Sequence, residues 1–226
     1  LPETLDVRFF RPSEAELSFE NPNSALSEML TRMLVELDDS GHKTQCFLKT
    51  FALGGSRRFE RELEVYLRMV KSTLAPEARI PRLCGVMEVE DGQILGLLLT
   101  YINHRRENDG LLFVNRLLHT LIPLRHHWAG QIQETVRQLH RADMVWGDAK
   151  AENVMIDRNN DAWLIGYGGS HTEGWVDEDK VGMKEGHLQG VARVVEPLSN
   201  NEYEPCFDSD WGRGRVRYLG SLRTAK

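Results

Sequence analysis

The sequence predicts an α+β chain in two parts, a small strand-rich part followed by a mainly helical one. Apolar runs of strand length, bounded by turn residues, fill most of the first hundred residues. Beyond residue 103 the apolar residues instead recur at helical spacing. A polar stretch, Asn103 to Gly110, separates the two regimes.

Residues 1–29 read as an approach segment, with turn-type Pro12, Asn21, Pro22 and Asn23 and one edge strand at Leu5 to Phe10. Strand-like runs at Met33 to Leu37 and Thr44 to Phe51 flank Asp-Asp-Ser-Gly-His, a glycine-containing hairpin connection. Lys49 shares a strand face with Phe47 and Phe51, so it either snorkels at a sheet edge or points into a cleft. On the residues alone the edge placement is favoured.

Arg57 to Leu74 follows as a helix whose stripe is Phe59, Leu63, Tyr66, Leu67 and Val70, with Glu60 and Glu62 flanking it. Either glutamate is a solvated carboxylate or reaches across to a strand lysine. Pro81 to Val89 and Ile94 to Ile102 form a second hairpin around Glu-Asp-Gly-Gln, completing an N-terminal lobe at 30–102.

The second lobe, 103–226, opens with helical patterns at Leu111 to Leu121 and Leu124 to Arg141, the latter carrying Trp128, Ile132, Val136 and Leu139. A two-strand pattern, Val154 to Asp157 and Ala162 to Ile165, surrounds an Asn-Asn-Asp turn. A further helix at Glu185 to Leu198 is expected to end at Pro197, and the tail 199–226 has no assignable pattern.

With 226 residues, 41% of them hydrophobic, the chain can bury one sizeable core. Its net charge of -6 argues against nucleic acid and anionic membrane partners, which need concentrated positive charge. Cys46, Cys84 and Cys206 lack metal-ligand spacing and read as buried, reduced thiols of a cytoplasmic or nuclear protein. No apolar run approaches the ~18 residues of a membrane span, and no charged-then-apolar leader opens the chain. Most of the five tryptophans are expected in the core rather than at an interface.

Chemistry concentrates in Trp146-Gly147-Asp148-Ala149-Lys150-Ala151-Glu152-Asn153. An acid, a base and an amide are individually cheap, and a loop Asp is usually a cap or a turn residue. At this spacing, however, with the two-strand pattern just behind, the segment 146–153 resembles the catalytic loop of the protein kinase superfamily. Lys150 at its position favours the protein kinase branch over aminoglycoside-type phosphotransferases. The flanking text, Asn-Val-Met-Ile-Asp and Thr-Glu-Gly-Trp-Val-Asp, is most similar to compact fungal kinase-like proteins. The resemblance spans about residues 135–192 strongly and 30–102 more loosely.

That resemblance implies a two-lobed kinase-like fold with a shortened helical C-lobe, and a role for each matching residue. Asp148 would be the catalytic base, Lys150 the neutraliser of the transferring phosphoryl group, and Asn153 a magnesium ligand. Lys49 would hold the nucleotide phosphates with Glu62 as its helix partner, Glu60 being the fallback. Thr100, Tyr101 and Ile102 would form the hinge that meets adenine.

Departures from the family are as informative. Where it carries the metal-binding Asp of Asp-Phe-Gly, this chain has Gly166-Tyr167-Gly168. No G-x-G-x-x-G precedes Lys49, since Gly54-Gly55 falls after it. Phe47 replaces the small residue usually over adenine, and His187 stands where related proteins place an acidic anchor in Gly-Asp-Leu-Gln-Gly.

The reading favoured is a pseudokinase, a binding or regulatory module acting on a protein partner. The alternatives are a weakly active ATP-dependent Ser/Thr kinase, with Glu152 or Glu173 replacing the lost ligand, and a small-molecule phosphotransferase. ATP and magnesium are the cofactors if the chain is active; otherwise it needs none.

Overall fold

The computed structural model describes residues 7–18, 31–38, 40–51, 56–89, 92–104, 106–107, 110–111, 120–169, 175–180 and 183–200. Its main feature is a six-stranded sheet. The strands are β1 (Phe9–Phe10), β2 (Ala15–Leu17), β3 (Thr31–Glu36), β4 (Lys43–Thr50), β5 (Leu83–Glu88) and β6 (Ile94–Thr100), in the order β1-β5-β6-β4-β3-β2. Neighbours pair antiparallel except β1, which runs parallel to β5.

This order forces the sheet to curl. Its edge strands β1 and β2 are joined by residues 11–14 alone, a path of at most about 17 Å from Phe10 to Ala15. A flat sheet would hold them about 24 Å apart. The curl wraps an interior of Phe10, Met33, Val35, Cys46, Leu48, Met87 and Leu98. Cys46 and Cys84 are free thiols, and Cys84 Sγ donates to the Arg82 carbonyl at 3.8 Å.

On the other face of the sheet packs α1 (Ser56–Lys71). Its buried stripe is Phe59, Glu62, Leu63, Tyr66 and Met69, while Val70 is exposed. The expected stripe is therefore rotated: bringing Glu62 into the core turns Met69 inward and Val70 out.

The C-terminal part holds α2 (Ile122–Arg141) packed on α3 (Lys184–Ser199), with short pairs β7 (Arg106–Glu107) with β8 (Gly110–Leu111), and β9 (Val154–Ile156) with β10 (Ala162–Leu164). Gln131 and Trp128 of α2 clamp the β9–β10 turn. Gln131 Oε1 accepts the Ala162 N–H at 2.8 Å and Trp128 Nε1 donates to the Asn160 carbonyl at 2.8 Å. Asp157 Oδ1 accepts the N–H groups of Asn159 and Asp161, which shapes the turn itself.

Two expectations need correction. Pro197 does not end α3, which runs on to Ser199; in the last turn the N–H that proline lacks removes a single helical bond. Leu111 stands in β8 rather than at the start of a helix, and 112–119 lie outside the described residues. So do Leu5, Gly54-Gly55, Glu173, Cys206, Trp211 and most of the tail. Trp128, Trp146 and Trp175 are buried, as expected for core residues. No described helix is long and apolar enough to cross a membrane.

Candidate functional site

Between the outer face of the sheet and the β9–β10 hairpin lies a cavity of about 210 Å³. Phe47 and Leu99 line it from the sheet, Met155 and Ile165 from the hairpin side, and Thr100, Tyr101 and Ile102 along the segment leaving β6. Lys49, Glu62, Tyr66, His104, Asn153 and Gly166 complete its wall with Pro81.

Strand alternation explains which residues face it. In β4, Cys46 and Leu48 enter the curled interior, which sends Phe47 and Lys49 to the cavity side. Lys49 is thus in a central strand, opposite Leu97 of β6, and not at an edge. Its ammonium donates to both oxygens of Glu62, at 2.5 and 2.7 Å. The Glu62 side chain is 0% exposed and that of Lys49 24%, so the pair is a buried carboxylate neutralised by the one cation that reaches it from β4. A lone carboxylate there would bear its desolvation cost without a partner. Glu60, the alternative partner, is exposed.

Tyr66, one turn beyond Glu62, meets Tyr167 edge-on with ring centroids 5.7 Å apart. Both phenols are fully buried, and desolvation first, with the nearby Glu62 charge, pushes them well above the usual tyrosine range. They stay neutral, and the contact ties α1 to the chain behind β10. Trp146 makes a parallel tie, donating from Nε1 to the Ile165 carbonyl at 2.8 Å.

In the 146–153 loop Lys150 and Asn153 both bond to Asp148. Lys150 Nζ lies 2.8 Å from Asp148 Oδ2. Asn153 Nδ2 donates to the Asp148 carbonyl at 2.8 Å and to Oδ2 at 3.0 Å. Asp148 is almost wholly buried, and Gly169 lies so close that a Cβ there would sit 2.5 Å from the Asp148 side chain.

Gly166 holds φ +81, in the left-handed region, and a Cβ built on it would lie 2.6 Å from Asn153 Cγ and Nδ2. The space for a side chain at 166 is already taken by the Asn153 amide. Both its backbone angle and its surroundings call for glycine.

Beneath the loop, His187 of α3 accepts the Trp146 N–H on Nε2 at 3.2 Å. The ring proton is therefore on Nδ1, which faces His140 Nε2 at 2.8 Å. The histidine thus anchors the backbone of the loop at Trp146. Gly190 of the same helix comes so close that a Cβ would meet the Ala149 carbonyl at 2.8 Å. Asp177 bonds Lys180 within its own segment at 2.7 Å and ties that segment to α3 through Gln189 at 2.7 Å and Arg193 at 3.0 Å. These bonds, Lys180 first, hold its carboxyl far below the usual range.

The structure therefore gathers Lys49, Glu62, Thr100, Tyr101, Ile102, Asn153 and Gly166 around one cavity. Asp148 and Lys150 do not line it but bond to each other beside it, and Asp148 to Asn153. Arg32 has no role in the sequence reading, yet it is buried, lies 4.4 Å over the Tyr101 ring and donates to its hydroxyl at 2.8 Å. The available signal was a charged residue inside an apolar strand, directly opposite Phe47. His104 and Tyr66 carried no such signal beyond their neighbourhood.

Magnesium needs near-octahedral oxygen ligation and is usually held through carboxylates. Here Asn153 Nδ2 donates to Asp148, which leaves its neutral Oδ1 as the amide's candidate ligand atom, while the Asp148 carboxylate is bonded to Lys150 and residue 166 has no side chain. Among the described residues no cluster of three His, Cys, Asp or Glu side chains is arranged for a metal. This donor set does not fit the ion.

No family model matches the chain. Over 94 residues, 41% of this chain, it is 29% identical to the serine/threonine-protein kinase PKH3 of Eremothecium gossypii, of which the match covers 13%. The chain thus spans a small fraction of that protein's length. The similarity is kinase-like and partial, and it joins a mixed α+β architecture with a curled six-stranded sheet.

Proposed function

We propose that the chain is a protein-kinase-like domain that has lost phosphoryl transfer and works as a binding or regulatory module on a protein partner. Gly166 carries this reading. At the position where the family holds its metal-binding carboxylate, the backbone is in a conformation made for glycine and the Asn153 amide fills the side-chain space. The lesion is therefore built into the surroundings as well as the residue type.

Losing the metal contribution, several kcal/mol of transition-state stabilisation, slows transfer by about a thousandfold or more.

The Lys49–Glu62 pair, at 2.5 Å, favours a second reading, a weakly active ATP-dependent Ser/Thr kinase with Asp148 as base. Transfer of labelled phosphate to a generic protein substrate separates the two. The module reading expects no signal above that of Asp148→Asn. A signal that the Asp148→Asn substitution abolishes would establish the kinase.

A further inference from the structure

We infer that His140 and His187 form a proton-sensitive lock on the 146–153 loop, closed at neutral pH and released in mild acid. The inference goes beyond the module reading and does not depend on it, because the lock holds the loop whether or not phosphate is transferred.

Counting protons carries the argument. His187 Nε2 accepts the Trp146 N–H at 3.2 Å and therefore bears no proton. Its Nδ1 lies 2.8 Å from His140 Nε2, so one proton occupies that line. A neutral imidazole has one N–H and one lone pair. With each ring protonated on Nδ1, both lone pairs serve as acceptors and both bonds form. The two rings then hold two protons between them, and a third has only two places to go. On His187 Nε2 it would meet the Trp146 N–H head on; on His140 Nε2 it would meet the His187 Nδ1–H. Reversing the shared bond gives no escape, because it returns the His187 proton to Nε2. Any third proton therefore breaks one bond of the chain.

Position gives the lock its reach. His140 lies in the last turn of α2, His187 near the start of α3, and Trp146 directly precedes Gly147 and Asp148. His187 is buried, whereas His140 is half-buried and lets a proton in. The loop that starts at Trp146 ends at Asn153, which lines the cavity. Releasing Trp146 thus frees the entry of this loop from α3. Charged groups on the surrounding elements set the pH at which the third proton arrives. Arg68 of α1 donates to the Asp143 carbonyl at 2.9 Å, and Asp148 is bonded to Lys150 and Asn153. Asp177 is bonded to Lys180 and to Arg193 of α3, while Arg141 and Glu185 are exposed. None of these changes the number of lone pairs on the two rings.

The size of the effect follows from the ordinary histidine pKa of about 6.5. Once His187 leaves Trp146, its Nε2 takes a proton freely. The released loop therefore binds more protons than the closed one, so the lock is complete above that value and weakens as the pH falls through it. At pH about 5.5, one unit lower, protonation favours release by about tenfold, and at pH about 7.5 by almost nothing.

Amide hydrogen exchange measured by NMR on the full chain tests the inference at those two pH values. The protection factor of the Trp146 N–H, corrected for intrinsic rate and read against that of Ile132 in the middle of α2, should fall about tenfold on acidification. In His187→Gln, whose amide oxygen accepts the Trp146 N–H without titrating, the same ratio should hold within about twofold, with a cooperative thermal melt establishing that the variant is folded. Ring nitrogen shifts of the parent give a readout that needs no variant: at pH about 7.5 His187 should be protonated on Nδ1 alone. An unchanged ratio in the parent, an equal fall in His187→Gln, or a proton on His187 Nε2 at the higher pH overturns the inference and leaves the module reading standing.

Discussion

Gly166→Ala is the substitution whose effect the structure specifies most fully. An L-residue in the left-handed conformation, φ +81 at this site, costs roughly 1–2 kcal/mol. The new methyl carbon would also start 2.6 Å from Asn153 Cγ and Nδ2, closer than any non-bonded pair tolerates. Asn153 must then give up part of its hold on Asp148, bonds of 2.8 and 3.0 Å, at about 1 kcal/mol each. The total is about 3 kcal/mol, a fall in thermal midpoint of about 6–12 °C for a chain of this size. A double-mutant cycle by urea unfolding separates the two parts. In an Asn153→Ala background the clashing atoms are absent, so Gly166→Ala should cost only the backbone share of about 1–2 kcal/mol. Equal costs in both backgrounds, or a cost below about 0.5 kcal/mol in the parent, would refute the crowding argument. By the same reasoning Gly166→Asp does not simply restore a metal ligand, because Asn153 must move first.

Other outcomes follow from the same geometry. Lys49→Met strands the buried Glu62 carboxylate and should cost about 3–5 kcal/mol in urea unfolding, whereas Lys49→Met with Glu62→Leu should return close to the parent. His187→Ala leaves the buried Trp146 N–H without its acceptor, so a loss of about 1–3 kcal/mol is expected in thermal melts; an unchanged midpoint would show that the bond contributes nothing. Asp177 has a folded-state pKa depressed below that of an unfolded aspartate, near 3.9. Its contribution to stability is complete above that pH and is lost as acid lowers the pH through the folded value. Asp177→Asn should therefore melt at a lower temperature than the parent at pH 7, and the gap should narrow steadily below pH about 4.

Much of the strand-rich part was legible because alternation and turn residues are local signals. The hairpin around Gly41 and the one around Gly92 fall where the text places them, each glycine at φ +77. Lys49 was misplaced because a charged residue in an apolar strand reads as an edge residue until its partner is known. Glu62 sits 13 positions away on another element, and only packing brings the two together. The rotation of α1 has the same cause, since burying Glu62 displaces Val70. The curl of the sheet depends on β1 reaching β5, a pairing across more than seventy residues that no local pattern encodes. In the site, Asp148, Lys150 and Asn153 were visible from spacing. That the Asn153 amide fills the space at Gly166 was not, because sequence shows a glycine but not what packs against it.

Loss of the metal–nucleotide site is tested most directly by thermal denaturation with ATP at about a hundredfold excess over the dissociation constant of an active site, with and without magnesium. The prediction is that magnesium moves the midpoint no further than ATP does in EDTA. A magnesium-dependent stabilisation of about 2.7 kcal/mol, a rise of about 5–11 °C, would contradict it and identify a working metal–nucleotide site.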